Sequence, residues 1–104
     1  MSSNEYDKCP VARAAALIGA KWTIVILRDL FVCETRRYQD FLDSLKGISP
    51  NTLSDRLKML EAAGVIKRQI YQEHPPRAEY LLTEKGRALA PVLLAIRDWG
   101  NKHG

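Results

Sequence analysis

Residues 47–86 read GISPNTLSDRLKMLEAAGVIKRQIYQEHPPRAEYLLTEKG. The first half of this segment predicts a short helix, because Ser49 is a favourable N-cap and Pro50 suits the first helical position. Gly64 is a candidate for the left-handed residue that ends the helix. Three leucines share one face at helical spacing: Leu53, Leu57 and Leu60. The opposite face is therefore polar, with short side chains near its N-terminus.

Two strands and a basic turn follow this helix. Residues 66–71 and 78–82 are predicted as strands, and the six residues between them include Pro75 and Pro76, which stiffen the tip. The cationic residues of this hairpin suit contact with phosphates or with a minor groove: Lys67, Arg68, His74 and Arg77. The alternative interpretation is an edge hairpin that charge and proline protect from aggregation.

The preceding residues predict three more elements. Residues 21–31 are almost continuously apolar, and their length favours a buried helix over a buried strand. Residues 33–37 form a short polar connector that is able to pair as an edge strand. Residues 38–45 carry apolar side chains at helical spacing, and a tight turn at 46–48 joins them to the next helix. Two short helices joined through such a turn predict a helix-turn-helix.

The two terminal helices, at about residues 9–19 and 83–100, are the predicted dimer contact within a single domain of residues 1–104. We expect Thr83 to cap the second of them and Pro91 to kink it, since proline removes one helical hydrogen bond. The predicted interface residues are apolar: Leu17, Leu89, Val92, Leu93, Ile96 and Trp99. The alternative is that both helices complete one core, with Trp22 and Trp99 as large fillers.

The composition fits one soluble domain, with 46% hydrophobic and 27% charged residues. The net charge is +4, and residues 36–77 hold eight Lys and Arg against five Asp and Glu, which favours a polyanionic partner. We expect a cytoplasmic location, since the chain lacks an apolar leader and a membrane-length apolar run. The sequence offers no nucleophile–base pair, phosphate loop or ligand cluster, so we predict no enzyme activity, cofactor or metal site.

The polar face of the helix at residues 49–58 is the predicted DNA-reading surface. Its free N–H groups favour a phosphate, and its short side chains suit close approach to base edges. The predicted contacts on the helix are Ser49, Asn51, Thr52, Asp55, Arg56 and Lys58. The supporting contacts are Arg36, Arg37, Lys67, His74 and Arg77. The alternatives are a solvated amphipathic helix and, for function, a protein-interaction module that docks an acidic partner.

Cys9 is a candidate thiol sensor. It precedes Pro10 at a helix N-terminus and follows Lys8, and both the helix dipole and the ammonium favour a thiolate. The alternative is a small, inert residue buried at an interface. Cys33 has no such environment beyond Arg36 and Arg37, and we interpret it as structural.

Short motifs occur in order along residues 9–99: Cys9-Pro10-Val11, Ile18-Gly19-Ala20-Lys21-Trp22-Thr23, Leu27-Arg28-Asp29-Leu30, Arg36-Arg37-Tyr38, Gly47-Ile48-Ser49-Pro50, Thr52-Leu53-Ser54 with Arg56-Leu57, Pro75-Pro76-Arg77 with Glu79-Tyr80, and Leu82-Thr83 with Gly86. Each motif alone is weak, but the ordered series is specific. Together they resemble the HxlR-type winged-helix transcriptional regulators.

The resemblance implies a mainly α (α+β) winged helix-turn-helix fold, with about five helices and a two- to three-stranded β wing. It implies a homodimer, distantly similar to MarR-type regulators, that binds a pseudo-palindromic operator in double-stranded DNA. The helix-turn-helix would span residues 38–63 and the wing residues 66–82. Some members sense quinones, aldehydes or oxidants through a cysteine at the place that Cys9 occupies, so a small oxidant or electrophile is an implied partner.

Overall fold

A computed structural model describes residues 8–104 of the chain, and residues 1–7 lie outside that range. The described elements are α1 (Pro10–Ile18), α2 (Lys21–Cys33), β1 (Thr35–Arg36), α3 (Tyr38–Ser44), α4 (Pro50–Ala62), β2 (Ile66–Glu73), β3 (Pro76–Leu82), α5 (Glu84–Arg87) and α6 (Ala90–His103). Five of these helices have seven or more residues, and α5 is a single turn. The predicted winged helix-turn-helix is confirmed.

The strands form one antiparallel sheet in the order β1-β3-β2. The predicted edge strand is present, since Thr35 pairs with Leu81 and Arg36 with Tyr80. The predicted six-residue tip is wrong, because pairing continues to Glu73 and Pro76 and leaves a two-residue turn with a cis His74–Pro75 peptide. Pro76 is tolerated there because a first strand position need not donate to the ladder.

The core lies between α2, α3, α4 and the sheet. Its buried apolar residues are Ile26, Leu27, Leu30, Phe41, Leu45, Ile48, Leu53, Leu57, Leu60, Val65, Ile66 and Leu82. The three leucines predicted to share the inner face of α4 are all among them, and burying each one contributes roughly 2 kcal/mol. Neither α1 nor α6 contributes a fully buried residue. The core therefore forms around the helix-turn-helix rather than around the terminal helices.

One buried carboxylate joins α2 to the helix-turn-helix. Asp29 is only 5% exposed. Its Oδ2 accepts a hydrogen bond from the Ser44 hydroxyl at 2.6 Å and lies 3.6 Å from a guanidinium nitrogen of Arg36, while Oδ1 accepts from Arg28 at 3.1 Å. A buried carboxylate needs such partners, because an unpaired charge in the interior is strongly unfavourable. The network holds β1 and the end of α3 against α2.

The predicted single helix at residues 83–100 is wrong, since a turn at Ala88 and Leu89 divides it into α5 and α6. Pro91 was expected to produce only a kink. It instead occupies the start of α6, where its missing N–H leaves no bond to lose. The predicted cap is confirmed, because the Thr83 side chain accepts from the backbone N–H of Gly86 at 3.1 Å. The last helix also runs further than predicted, to His103.

Candidate nucleic-acid interface

The first turn of α4 is held by its predicted cap. The Ser49 hydroxyl oxygen accepts from the backbone N–H of Thr52 at 3.1 Å and donates to the Thr52 hydroxyl at 2.9 Å. Pro50 occupies the first helical turn. Because the cap satisfies only part of the free N–H set, this end of the helix keeps donors and a positive dipole for an anion.

The outer face of α4 is polar and open. Ser49, Asn51, Asp55 and Lys58 are exposed on it, whereas Leu53 on the opposite face is fully buried. Thr52 and Arg56 are partly buried at the edges of this face. The Arg56 Nε atom is enclosed and makes no hydrogen bond within the described residues. The predicted helix contacts therefore share one surface, with Arg56 the most constrained of them.

The C-terminal end of α4 is closed by the predicted glycine and by α5. Gly64 has a φ of 77°, and its N–H donates to the Glu61 carbonyl at 3.0 Å while the next N–H donates to the Leu60 carbonyl at 3.1 Å. This pair of bonds is a Schellman motif. The Lys85 ammonium donates to the Ala63 carbonyl at 2.8 Å, and the Thr83 hydroxyl donates to the Gly64 carbonyl. The sequence does not reveal these two side-chain hydrogen bonds, because their partners are about 20 residues apart.

The start of α3 also contacts the start of α4. The Tyr38 hydroxyl donates to the Pro50 carbonyl at 3.0 Å and lies 3.3 Å from the Ser54 hydroxyl. The ring of Tyr38 is partly buried and packs against the core. This contact joins the two helices of the helix-turn-helix at the end that carries the predicted base contacts. Helical periodicity identifies Tyr38 only as an apolar position and does not predict the hydrogen bonds of its hydroxyl.

The hairpin carries its predicted cations on the surface. Lys67, His74 and Arg77 are all exposed. His74 lies at the tip, where the side-chain amide of Gln72 donates to its carbonyl at 3.3 Å. Arg77 pairs with Gln72 one step below the tip. The hairpin therefore presents cationic side chains near its base, at Lys67, and near its turn, at Arg77, together with the carboxylates Glu73 and Glu79.

Arg68 adds a cation on the other side of the hairpin. It pairs with Tyr80, whereas the neighbouring Lys67 pairs with Leu81, so the two cations point to opposite faces of the sheet. Burial raises the pKa of the Tyr80 hydroxyl, and the charge of Arg68 partly opposes that shift. The Tyr80 hydroxyl is thus neutral at physiological pH. The ring of Tyr80 lies beside that of Phe41, with 6.2 Å between the ring centres.

The two adjacent arginines of the predicted site have different environments. Arg37 is the N-cap of α3 and forms two side-chain hydrogen bonds with Asp40, at 3.2 and 3.0 Å. These bonds lower the pKa of the Asp40 carboxyl and raise the pKa of Arg37, whose side chain is still 52% exposed. Arg36 turns toward Asp29 and is 24% exposed. Arg37 is therefore available on the surface, whereas Arg36 is directed toward the buried Asp29.

Both cysteines are exposed in the protomer. Cys9 is the N-cap residue of α1, directly before Pro10, and makes no side-chain cap hydrogen bond. Cys33 is the last residue of α2. The interpretation of Cys9 as an inert buried residue therefore requires a second chain to cover it.

A second open surface lies on α6, where apolar residues spread over an arc wider than the ~100° stripe that a core-facing helix needs, with Arg97 and Asn101 inside one flank of that arc. The middle of this arc, at Leu89 and Leu93, is partly buried against the core. One flank is exposed at Val92, Ile96 and Trp99, and Trp99 alone is 65% exposed. Trp99 is therefore not a core filler, whereas Trp22 packs partly buried against the core.

The other flank of α6 forms an apolar groove with α2. The groove has a volume of about 480 Å³ and is lined by apolar side chains with a guanidinium of each helix: Ile24, Val25, Arg28, Phe31, Val32, Ala90, Leu93, Leu94, Ile96 and Arg97. Ile96 belongs both to this lining and to the exposed flank. The two flanks thus form one continuous apolar surface.

Within residues 8–104, no group of three or more His, Cys, Asp or Glu side chains is arranged to hold a metal ion. Of the helices in the same range, none combines the length and the apolar character that a membrane crossing requires.

The chain is similar to a curated family and to individual regulators. The family model of the HxlR-like helix-turn-helix matches residues 17–104. The HTH-type transcriptional regulator sll1512 of Synechocystis is 45% identical over 93 residues, which cover 89% of this chain and 68% of that protein.

Two solved structures extend the similarity to the fold. The redox regulator HypR in its oxidised form superposes with a TM-score of 0.85 at 33% identity, over 92% of this chain and 98% of HypR. The reduced form of the transcriptional regulator YodB from Bacillus subtilis superposes with a TM-score of 0.78 at 32% identity, over 91% of this chain and 93% of YodB. With the family match spanning most of its length, the chain belongs to the HxlR-like helix-turn-helix family and is a transcriptional regulator rather than an enzyme.

Proposed function

We propose that this regulator acts in the cytoplasm as a homodimer that binds a pseudo-palindromic operator in double-stranded DNA. The observation that carries the proposal is the open polar face of α4, whose capped first turn presents Ser49, Asn51 and Thr52 without any large apolar side chain. Short polar side chains at a helix N-terminus are able to reach base edges in the major groove. Lys58 and Arg56 lie further along the same helix, where they suit phosphates.

The wing supplies the second part of the interface. Arg77, His74 and Lys67 are exposed on a hairpin with a two-residue turn, so little chain freedom is lost when they meet the DNA. Arg37 lies at the start of α3 and is already oriented by Asp40. Such contacts place the protein on the duplex but carry little sequence information. We assign sequence reading to α4 and affinity mainly to these cations.

Dimerisation is supported by the continuous apolar surface of α6 and the groove. Exposed contiguous apolar area of this kind is rare on a monomeric protein and marks an interaction site. The terminal helices contribute no fully buried residue to the protomer, so their apolar side chains remain available to a second copy. A twofold dimer would present two copies of α4 to half-sites about one helical turn apart.

Regulation through Cys9 is the third part of the proposal. Its thiol is exposed at the N-terminus of α1, where oxidants and electrophiles are able to reach it. HypR, which has the same fold, is named as a redox regulator. Modification of Cys9 would add a group beside α1, one of the two helices proposed for the dimer contact.

Binding to the DNA upstream of the protein's own gene tests the proposal. We expect a footprint with two protected segments about one helical turn apart, and affinity that falls as salt rises. A docking module for acidic proteins would bind duplex DNA weakly and leave no discrete footprint. Either result is obtained by adding purified protein to the upstream fragment and to a shuffled duplex of equal length.

Replacing Arg77 by alanine is expected to weaken binding to every duplex and to flatten the salt dependence. Each lost phosphate contact reduces the slope of log affinity against log salt by about one, hence by about two for a dimer. The measurement is a salt titration of affinity for the upstream fragment and the shuffled duplex. Lys102→Ala on the polar side of α6 is the matched control and should keep the wild-type slope. An unchanged slope in Arg77→Ala would remove this residue from the interface.

Cys9 is expected to react faster than Cys33 within the same molecule. Addition of a benzoquinone to a thiolate forms a carbon–sulfur bond and increases the mass of the chain by one quinone. With one equivalent of quinone at pH 7, we expect peptide mass spectrometry to find the adduct mainly on Cys9. Loss of the footprint on treatment should persist in Cys33→Ser and be absent in Cys9→Ser. Equal labelling of both thiols would contradict the sensor role.

A further inference from the structure

The hydroxyl of Tyr38 connects the two helices of the helix-turn-helix. Its oxygen lies 3.0 Å from the Pro50 carbonyl and 3.3 Å from the Ser54 hydroxyl. A phenol has one proton, and the carbonyl is able only to accept it, so the Ser54 hydroxyl must supply the proton of the second bond. The result is a short chain of hydrogen bonds, from Ser54 to Tyr38 and from Tyr38 to Pro50.

The position of these bonds is specific to the reading end of α4. Pro50 and Ser54 lie one helical turn apart and flank the predicted base contacts Asn51 and Thr52. The Tyr38 ring is packed against the core, so its hydroxyl has a fixed place from which to hold that turn. The other bonds at this end, between Ser49 and Thr52, are local to α4 and do not set its angle to α3.

We propose that Tyr38 is a positioning residue for sequence recognition. Its hydroxyl fixes the first turn of α4 relative to α3 and does not itself contact DNA. Hydrogen bonds between protein and base edges require the side chains to be held within a fraction of an ångström, whereas phosphate contacts tolerate more freedom. Loss of the hydroxyl should therefore reduce discrimination between sequences and leave general affinity for DNA unchanged. The inference rests on the proposed DNA-binding function.

The test is Tyr38→Phe, which removes one oxygen and keeps the packed ring. Affinity is measured for the footprinted upstream fragment and for the shuffled duplex, each over a range of salt. We expect the ratio of the two affinities to fall about tenfold for the dimer, since each protomer loses a net hydrogen bond. The affinity for the shuffled duplex and both salt slopes should stay at the wild-type values.

Tyr80→Phe is the matched control. Tyr80 is also a half-buried tyrosine, and its hydroxyl makes no hydrogen bond within the described residues, so its removal should leave the affinity ratio unchanged. The double variant Tyr38→Phe with Ser54→Ala should reduce the affinity ratio by a smaller factor than the two single reductions multiplied together. Both substitutions interrupt the same chain of hydrogen bonds, so their effects are not independent.

Three outcomes would overturn the inference. Equal weakening on both duplexes would mean that the Tyr38 hydroxyl touches the DNA backbone itself. A lower melting temperature with an unchanged affinity ratio would mean that the Tyr38 hydroxyl only stabilises the fold. A wild-type affinity ratio together with wild-type stability would mean that the hydroxyl contributes to neither recognition nor stability. Failure of the proposed function has a different signature, because the wild-type protein would then bind the two duplexes equally.

Discussion

Replacing Ile96 by aspartate is expected to convert the proposed homodimer into a folded monomer and to weaken binding to the upstream fragment by roughly 100-fold or more. Ile96 joins the exposed flank of α6 to the apolar groove and is 40% exposed in the protomer. In a twofold interface the substitution occurs twice, and each buried unpaired carboxylate costs several kcal/mol. A monomer would bind one half-site at a time and would lose the increase in affinity that a dimer obtains by binding both half-sites together. Sedimentation equilibrium and the upstream fragment measure the two effects.

Lys102→Asp is the control for Ile96→Asp. It introduces the same side chain on the polar side of α6 and changes the net charge more, so nonspecific charge effects on DNA binding would be larger there. We expect it to remain dimeric. Circular dichroism should show that Ile96→Asp keeps its helices, because the side chain is not part of the buried core. A dimer that persists in Ile96→Asp would place the contact elsewhere on the molecule.

Replacing Gly86 by alanine is expected to cost about 3 kcal/mol of stability. A methyl group at Gly86 would overlap the carbonyl oxygen of Val65 and approach a Leu82 methyl at 3.0 Å. Turning the Val65 carbonyl away would break the hydrogen bond that it accepts from the backbone N–H of Thr83 at 3.1 Å. Relief would require α5 to move off the end of α4, which also breaks the bond from Lys85 to Ala63. Denaturant unfolding should show a lower midpoint with an unchanged slope.

Gly100→Ala is the matched control for Gly86→Ala. Gly100 lies inside α6, and a methyl group there meets nothing within 4 Å in the protomer. Alanine should therefore stabilise the chain by about 0.5–1 kcal/mol, through its higher helix propensity. The two variants are compared at one protein concentration, because the proposed dimerisation would contribute to the apparent stability. A loss of similar size in Gly100→Ala, where a methyl group meets nothing in the protomer, would show that close approach to Val65 does not explain the effect of Gly86→Ala.

The two ends of α4 were predictable because their determinants are local. The Ser49 cap involves an N–H three residues later, and the Gly64 C-cap closes bonds within the last turn. The inner face of Leu53, Leu57 and Leu60 follows from helical periodicity alone. The same local logic predicted the edge strand before α3 and the Thr83 cap. The outer face of α4 was predictable as a surface, although its contacts with DNA remain a prediction.

Features that depend on distant partners were not predictable. The two prolines of the hairpin suggested a stiff six-residue loop, but cross-strand pairing extends to Pro76 and shortens the turn. Arg36 and Arg37 are adjacent and chemically alike, yet one turns to the buried Asp29 and the other stays on the surface with Asp40. Pro91 begins a new helix instead of kinking a long one, because the chain turns at Ala88 and Leu89 before it.

The sequence by itself therefore determined the helix-turn-helix, its caps and the family, because periodicity, capping and ordered motifs are properties of neighbouring residues. Only the tertiary structure decided how α4 is held, through Tyr38 at one end and through Thr83 and Lys85 at the other. These bonds join residues 12 to 22 positions apart. The bonded atoms come within about 3 Å of each other only after the core has folded, so no local pattern in the sequence predicts these bonds.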